Sequence, residues 1–191
     1  MINQVKPLLD LIARHESESA AEAQGVESGY DVVVWQAFKV YPPLKPLTTL
    51  TVAEVLDWQE EAIRRYKEKH NSRIGYSAVG RYQIINSTLF RLIDSWWKMS
   101  DVFDVSTQDM LGLQLLRQRG LDKWLAGRLH GGDESFADSL SMEWASLPYR
   151  TGRSYYDKDV HGNKALVSRQ ELMYVLQRIK KDAFLVGKYK S

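Results

Sequence analysis

The chain contains no cysteine, which excludes disulfides and thiolate-bound metal sites. It has no run of about 18 apolar residues, so the sequence predicts no membrane span. Its first residues show no basic segment followed by an apolar core, and we therefore expect no secretory signal. Lysine and arginine are spread along the chain instead of clustering, so we expect no nucleic-acid partner.

What remains is a composition typical of one globular domain. The chain has 191 residues, of which 44% are hydrophobic and 26% charged, and its formal net charge is +2. This length is sufficient to bury a core. The four histidines show no metal-ligand spacing, and we expect neither a metal nor a cofactor.

Helical periodicity dominates the sequence. We expect a first helix over residues 6–15, a polar loop over residues 17–29, and a helix that opens at Thr51 with Glu54 completing a capping box. A last amphipathic helix is expected to begin after Ser168.

The β-rich part of the chain is residues 30–41, which contain two valine- and aromatic-rich runs before a proline pair. We interpret this part as a small hairpin or irregular β segment. The predicted fold class is therefore α+β and predominantly helical, and a cleft is expected between a small β-containing lobe and a helical lobe.

Glu16 continues an apolar helical stripe formed by Val5, Leu8, Leu9 and Ile12. Partial burial of a carboxylate raises its pKa, because the ionised form resists leaving water. A carboxylic acid that keeps its proton near neutral pH is suited to general acid catalysis of glycoside cleavage. Position alone also allows a helix C-terminus whose Glu16 lies in solvent.

Two other segments carry residues suited to ligand contact. The first is Gly29 with Tyr30 and Asp31; the second, residues 77–83, places Gly80 before an arginine, a tyrosine and a glutamine. A turn of the second kind presents backbone amides and amphipathic side chains to a ligand. Taken alone, it is equally compatible with an ordinary turn at a helix N-terminus.

Together and in this order, the segments resemble the bacteriophage lambda lysozyme family of lytic transglycosylases. The Glu-Ser pair of that pattern is Glu16-Ser17, and its Gly-x-x-Gln segment is residues 80–83. Residues 29–32 and 144–148 also match, and the resemblance covers most of residues 5–160. It implies a lysozyme-like fold with a glycan cleft between the two lobes.

The resemblance also implies an activity and a site. Glu16 falls on the catalytic acid of an enzyme that cleaves the β-1,4 bond between N-acetylmuramic acid and N-acetylglucosamine. The reaction is transglycosylation, which gives 1,6-anhydro-muramyl products and needs neither metal nor cofactor. The residues implied in substrate binding are Ser17, Tyr30, Asp31, Ser77, Gly80, Arg81, Tyr82, Gln83, Tyr155 and Tyr156.

Two alternatives stay open. If Asp31 faces Glu16 as a second carboxylate, the enzyme is a hydrolytic lysozyme, or muramidase; otherwise Asp31 is a turn-forming aspartate. A lysozyme-like domain could also be a non-catalytic structural or cell-wall-binding component of a virion.

We expect one lysozyme-like domain over residues 1–191, with an inserted helix and loop at 51–76 and an extra helix and tail at 167–191. The expected state is a monomer, and the expected partners are peptidoglycan glycan strands and phage virion or tail proteins. Such an enzyme acts on periplasmic peptidoglycan. It reaches that layer as an endolysin released from the host cytoplasm through a holin, or as a virion-associated lysozyme.

Overall fold

The computed structural model describes residues 1–96, 98–158 and 162–188, and these residues are predominantly helical, as predicted. None of the described helices is long and apolar enough to cross a membrane. The helices are α1 (Ile2–Ala13), α2 (Ser19–Gln24), α3 (Trp35–Phe38), α4 (Val52–His70), α5 (Asn86–Trp96), α6 (Val105–Gln118), α7 (Leu121–Leu125), α8 (Gly132–Ser141) and α9 (Arg169–Lys188).

The chain divides into two compact units. The terminal unit consists of Met1–His15 and Gly112–Ser191, and the central unit is Glu16–Leu111. The prediction that residues 1–191 form one domain, with an insertion at 51–76, stays a prediction.

The terminal unit is built around α9, which packs against α1 and α8. The buried side chains described for α1 and α9 recur at helical spacing and are Val5, Leu8, Leu9, Leu11, Ile12, Ala13, Leu172, Leu176 and Ile179. The Ser168 hydroxyl accepts the backbone N–H of Glu171 at 3.1 Å and caps α9, which confirms the predicted start of this helix. Residues 189–191 of the predicted tail lie outside the described residues.

Helix α4 is the longest element of the central unit and packs against α3 and α5. It opens with the predicted capping box: Thr51 Oγ1 accepts the N–H of Glu54 at 3.3 Å, and the Glu54 carboxylate accepts the N–H of Thr51 at 2.7 Å. It ends at His70 because Asn71 takes a left-handed conformation with φ 47°.

Of the two interpretations of residues 30–41, the hairpin is wrong, and the irregular β segment is present only at residues 32–34. Residues 32–34 are extended, but they pair with a distant segment: the N–H of Val34 donates to Ala78 O at 2.8 Å, and the N–H of Gly80 donates to Val32 O at 2.7 Å. The second half of the expected hairpin forms the short helix α3. The described β structure consists of isolated bridges, so the described residues contain no multi-residue β-strand.

The expected loop over residues 17–29 is also partly wrong, because α2 occupies residues Ser19–Gln24. Alanine, which has the highest helix propensity, fills three positions of α2. Gly25 follows in a left-handed conformation with φ 67° and ends the helix.

Candidate active site

Glu16 lies in a single π-helical turn, Arg14–Glu18, that connects α1 to α2. Insertions of this kind recur at functional sites and change the helical register. As a result, the side chain of Ser17 is fully buried and that of Glu16 is half-buried. The apolar stripe before it is buried as predicted, but Glu16 neither joins the core nor ends a frayed helix.

The Ser17 hydroxyl connects two of the motifs found in the sequence. It donates to the backbone carbonyl of Arg81 at 2.8 Å. Gly29 packs against the same hydroxyl, and a Cβ at that position would overlap Ser17 Oγ. The Glu-Ser pair, the Gly29 segment and the turn that contains Arg81 therefore meet around one buried hydroxyl.

The turn itself is closed by antiparallel pairing of Val79 with Ile84 and of Val79 with Val33. Two of its residues have positive φ angles, Gly80 at 71° and Gln83 at 47°. The Gln83 side-chain amide donates to Gly80 O at 3.0 Å, which stabilises the turn from inside.

Helix α4 fixes both ends of this turn through Gln59. Its fully buried side-chain amide donates to Ser77 O at 2.6 Å and to Ile84 O at 2.9 Å. The segment predicted as an insertion thus supplies a contact that shapes the candidate site.

A polar cluster surrounds the Arg81 side chain, and we call it the Asp109 network; its members are Glu18, Tyr30, Arg81, Tyr82 and Asp109. The hydroxyls of Tyr82 and Tyr30 donate to Asp109 Oδ1 at 2.6 Å and 2.8 Å. The Arg81 guanidinium donates to the Tyr30 hydroxyl at 2.7 Å. It also forms ion pairs with Glu18 at 3.2 Å and with Asp109 at 3.4 Å.

The environment of the two tyrosine hydroxyls raises their pKa values still further above neutral pH. Burial, followed by the hydrogen bond and the charge of Asp109, raises the pKa of Tyr30 to about 12. The same causes, with burial again the largest, raise the pKa of Tyr82 above its ordinary value. At neutral pH these two side chains therefore act as hydrogen-bond donors to Asp109.

Sequence reasoning missed Gln108 and Asp109, which are the fourth and fifth residues of α6. Gln108 Oε1 accepts the N–H of Arg81 at 2.9 Å, and its amide donates to Tyr30 O at 3.0 Å. The available signal was an amide beside a carboxylate near the start of an amphipathic helix, but their partners Tyr30, Arg81 and Tyr82 lie 27 or more residues away in sequence.

Asp31 is engaged in holding a loop. Its carboxylate accepts the N–H of Thr48 at 2.8 Å, in the 3-10 turn Leu47–Thr49. It also lines a surface cavity of about 560 Å³ within the central unit. The structure thus gives Asp31 a contact to a turn 17 residues further along the chain, and both interpretations of this residue stay predictions.

Tyr155 and Tyr156 belong to the terminal unit, in a loop with Tyr149. The Tyr156 hydroxyl donates to Met142 O at 2.7 Å, whereas Tyr155 is 47% exposed and contacts the other two rings edge-on.

Among the described residues of the whole chain, no group of three or more histidine, aspartate or glutamate side chains could hold a metal ion.

A family model described as Endolysin matches residues 6–171. Neither a search of curated proteins nor a search of solved structures found a match. The matched part includes Glu16, the turn around Gly80 and Asp109, and it ends at the start of α9. The resemblance identified from the motifs is thereby confirmed at the family level: the chain belongs to the Endolysin family, lysozyme-like phage enzymes that degrade peptidoglycan.

Proposed function

We propose that the protein is a lytic transglycosylase that cleaves the β-1,4 bond between N-acetylmuramic acid and N-acetylglucosamine, with Glu16 as its acid and base. The observation that carries this proposal is the setting of Glu16. It is half-buried in the π-helical turn and directly precedes Ser17, whose hydroxyl is fixed to the Arg81 carbonyl.

The other carboxylates described at this site support a mechanism that uses one acid. Glycosidases usually employ a second carboxylate as base or nucleophile. Here Glu18 pairs with Arg81, Asp109 accepts two tyrosine hydroxyls, and Asp31 accepts a backbone N–H. Because each of these three stabilises the fold locally, we assign none of them to the reaction.

The chemistry then proceeds without water. The Glu16 carboxyl donates its proton to the glycosidic oxygen, and the bond between that oxygen and the muramic acid C1 breaks. The 6-hydroxyl of the same muramic acid forms a new bond to C1, and the Glu16 carboxylate takes the proton of that hydroxyl. One product ends in a 1,6-anhydro ring, the other carries a new 4-hydroxyl, and Glu16 regains its initial proton.

Burial divides the predicted binding residues into two groups. Ser17, Ser77, Gly80, Arg81 and Tyr82 are buried, so we propose that they build the turn on which the glycan rests. The half-buried or exposed members are proposed to contact sugar or peptide groups directly, and these are Tyr30, Asp31, Gln83, Tyr155 and Tyr156.

The Glu16→Gln variant tests the role of the acid. A positioned general acid contributes about 10²–10⁴-fold to rate, so we expect E16Q to lose wall lysis by that factor while its thermal unfolding and glycan binding stay unchanged. Glu22→Gln is the matched control, since Glu22 is exposed in α2 and the substitution is the same. Lysis by E16Q at the wild-type rate would refute the assignment.

Mass spectrometry of digested peptidoglycan tests the reaction type. Transglycosylation predicts anhydro-muropeptides and a nearly unaffected Asp31→Asn variant. Products with reducing ends, together with an inactive D31N, would instead establish the hydrolytic lysozyme. Failure of the wild-type protein to release any soluble muropeptide would support a structural or wall-binding component.

We propose that the enzyme acts on periplasmic peptidoglycan, reached from the host cytoplasm through a holin or from the phage particle. Mass spectrometry of purified phage particles separates these routes. Finding the enzyme in the particles assigns a virion-associated lysozyme, and not finding it there assigns a soluble endolysin.

A further inference from the structure

Resting on the proposed function, we infer that Asp109 is a positioning residue: its carboxylate holds Arg81, Tyr30 and Tyr82 so that residues 16–18 stay fixed for proton transfer. Asp109 lies in the central unit on α6, outside every motif that the sequence singled out.

The first support is the number of donors that converge on one atom. Asp109 Oδ1 accepts the hydroxyls of Tyr82 and Tyr30 and lies 3.4 Å from Arg81 Nη1. Hydrogen bonds to a charged acceptor are roughly twice as strong as neutral ones. A single carboxylate thereby fixes the orientation of two rings and one guanidinium.

The second support is the burial of the cation. The Arg81 side chain is only 10% exposed, and besides Asp109 it pairs with Glu18, whose side chain is 45% exposed. A buried charge is stable only when it is paired and hydrogen-bonded. Asp109 is the better shielded of the two carboxylates, with its side chain 25% exposed, and we assign it the larger share in holding Arg81.

The third support is a short path to Glu16. Arg81 contacts the segment after Glu16 twice, through its guanidinium to Glu18 and through its carbonyl to the Ser17 hydroxyl. A shift of Arg81 moves both anchors of that segment. Misplacement of a catalytic group by about 1 Å can cost about 10²-fold in rate.

The neighbouring Gln108 contacts a different part of Arg81. It accepts the backbone N–H of Arg81, whereas Asp109 contacts the Arg81 side chain. Substituting Asp109 therefore leaves the backbone contact of the turn in place, so the side-chain effect can be measured by itself.

The experiment compares D109N, D109A and the control D57N, an exposed aspartate on α4 that has no part in the site. We expect kcat for a soluble glycan to fall about tenfold in D109N and about a hundredfold in D109A, with KM within about threefold of the wild type. D57N is expected to match the wild type. D109N retains an acceptor oxygen, so it tests the charge even if D109A fails to fold.

A double-mutant cycle with Arg81→Lys separates positioning from general destabilisation. If Asp109 acts through Arg81, the loss of kcat in R81K/D109N is no greater than in the worse single variant. Additive losses would overturn the inference, and so would weaker glycan binding by E16Q/D109N than by E16Q. An inactive E16Q beside a fully active D109N refutes the role of Asp109 alone, whereas a fully active E16Q refutes the proposed function.

Discussion

The molecule holds tyrosines in two different ways in its two units. In the central unit, Tyr30 and Tyr82 direct their hydroxyls at the Asp109 carboxylate. In the terminal unit, Tyr155 lies edge-on to Tyr149 and Tyr156, with ring centroids 5.5 Å and 5.1 Å apart. One cluster is centred on the Asp109 carboxylate, whereas the other combines ring contacts with the hydrogen bond of the Tyr156 hydroxyl and with the Arg150 guanidinium, 4.8 Å from the centroid of the Tyr149 ring.

The difference indicates different roles for the Asp109 network and for the rings of Tyr149, Tyr155 and Tyr156. A buried polar group that loses its hydrogen-bond partner destabilises the fold, so the Asp109 network specifies one arrangement of the turn. Edge-to-face rings contribute only about 0.5–1.5 kcal/mol per pair beyond their burial. They also leave Tyr155 exposed, with ring surface open to a ligand. We therefore expect substitutions in the first cluster to lower stability and rate, and substitutions in the second to lower affinity.

Gly80→Ala is expected to have the largest effect on stability among the substitutions that compare the two regions. Gly80 has φ 71°, and an added Cβ would overlap Gln108 Oε1, whose side chain is held by three hydrogen bonds and cannot move aside. Backbone strain and overpacking together cost about 2–4 kcal/mol. Urea unfolding measures this loss.

Gly152→Ala is the matched control in the tyrosine loop of the terminal unit. Gly152 has a similar φ of 77°, but nothing lies within 4 Å of its added Cβ. Only the backbone strain remains, so we expect a loss of about 1 kcal/mol. Equal losses at the two glycines would show that the close approach to Gln108 does not stabilise the turn.

Removing one hydroxyl from each cluster is expected to lower stability less than Gly80→Ala does. Tyr82→Phe deletes a hydrogen bond to a carboxylate, so the free energy of unfolding should fall by about 1.5–3 kcal/mol. Tyr156→Phe deletes one to the neutral carbonyl of Met142, and the expected loss is about 0.5–1.5 kcal/mol. Both values come from chemical denaturation, and the reverse order would contradict the contrast between the two clusters.

The parts of the fold that the sequence predicted are those with local signals. The capping box at Thr51 and the cap at Ser168 place their partners three residues away, and both helices begin where expected. The hairpin failed for the opposite reason. Residues 32–34 have the composition of a strand, but their partners are Ala78 and Gly80, which no local pattern connects to them.

The candidate site shows the same division. The segments around Ser17, Gly29 and Arg81, which the sequence connected only through their resemblance to a family pattern, do meet around one buried hydroxyl. Asp109 could not be found in this way, since no local pattern in α6 connects its carboxylate to tyrosines that lie 27 or more residues away. Only the fold shows that Asp109 Oδ1 accepts hydrogen bonds from two tyrosine hydroxyls.

Tyr155→Leu tests the second cluster with the smallest expected change in stability. Because Tyr155 is nearly half exposed, we expect the free energy of unfolding to change by about 0.5 kcal/mol or less. If the ring stacks on a sugar, its loss weakens glycan binding by about 0.5–1.5 kcal/mol, or about 2–12-fold in Kd.

The measurement uses E16Q as the background, so that glycan is bound but not cleaved. E16Q/Tyr155→Leu is compared with E16Q/Tyr174→Leu, since Tyr174 is an exposed tyrosine of α9 outside the ring cluster. Weaker binding only in the first variant supports a glycan contact at Tyr155. If the two variants bind glycan with the same Kd, the Tyr155 ring makes no specific contact with the substrate. A general effect of removing an exposed aromatic ring would change binding equally at both positions.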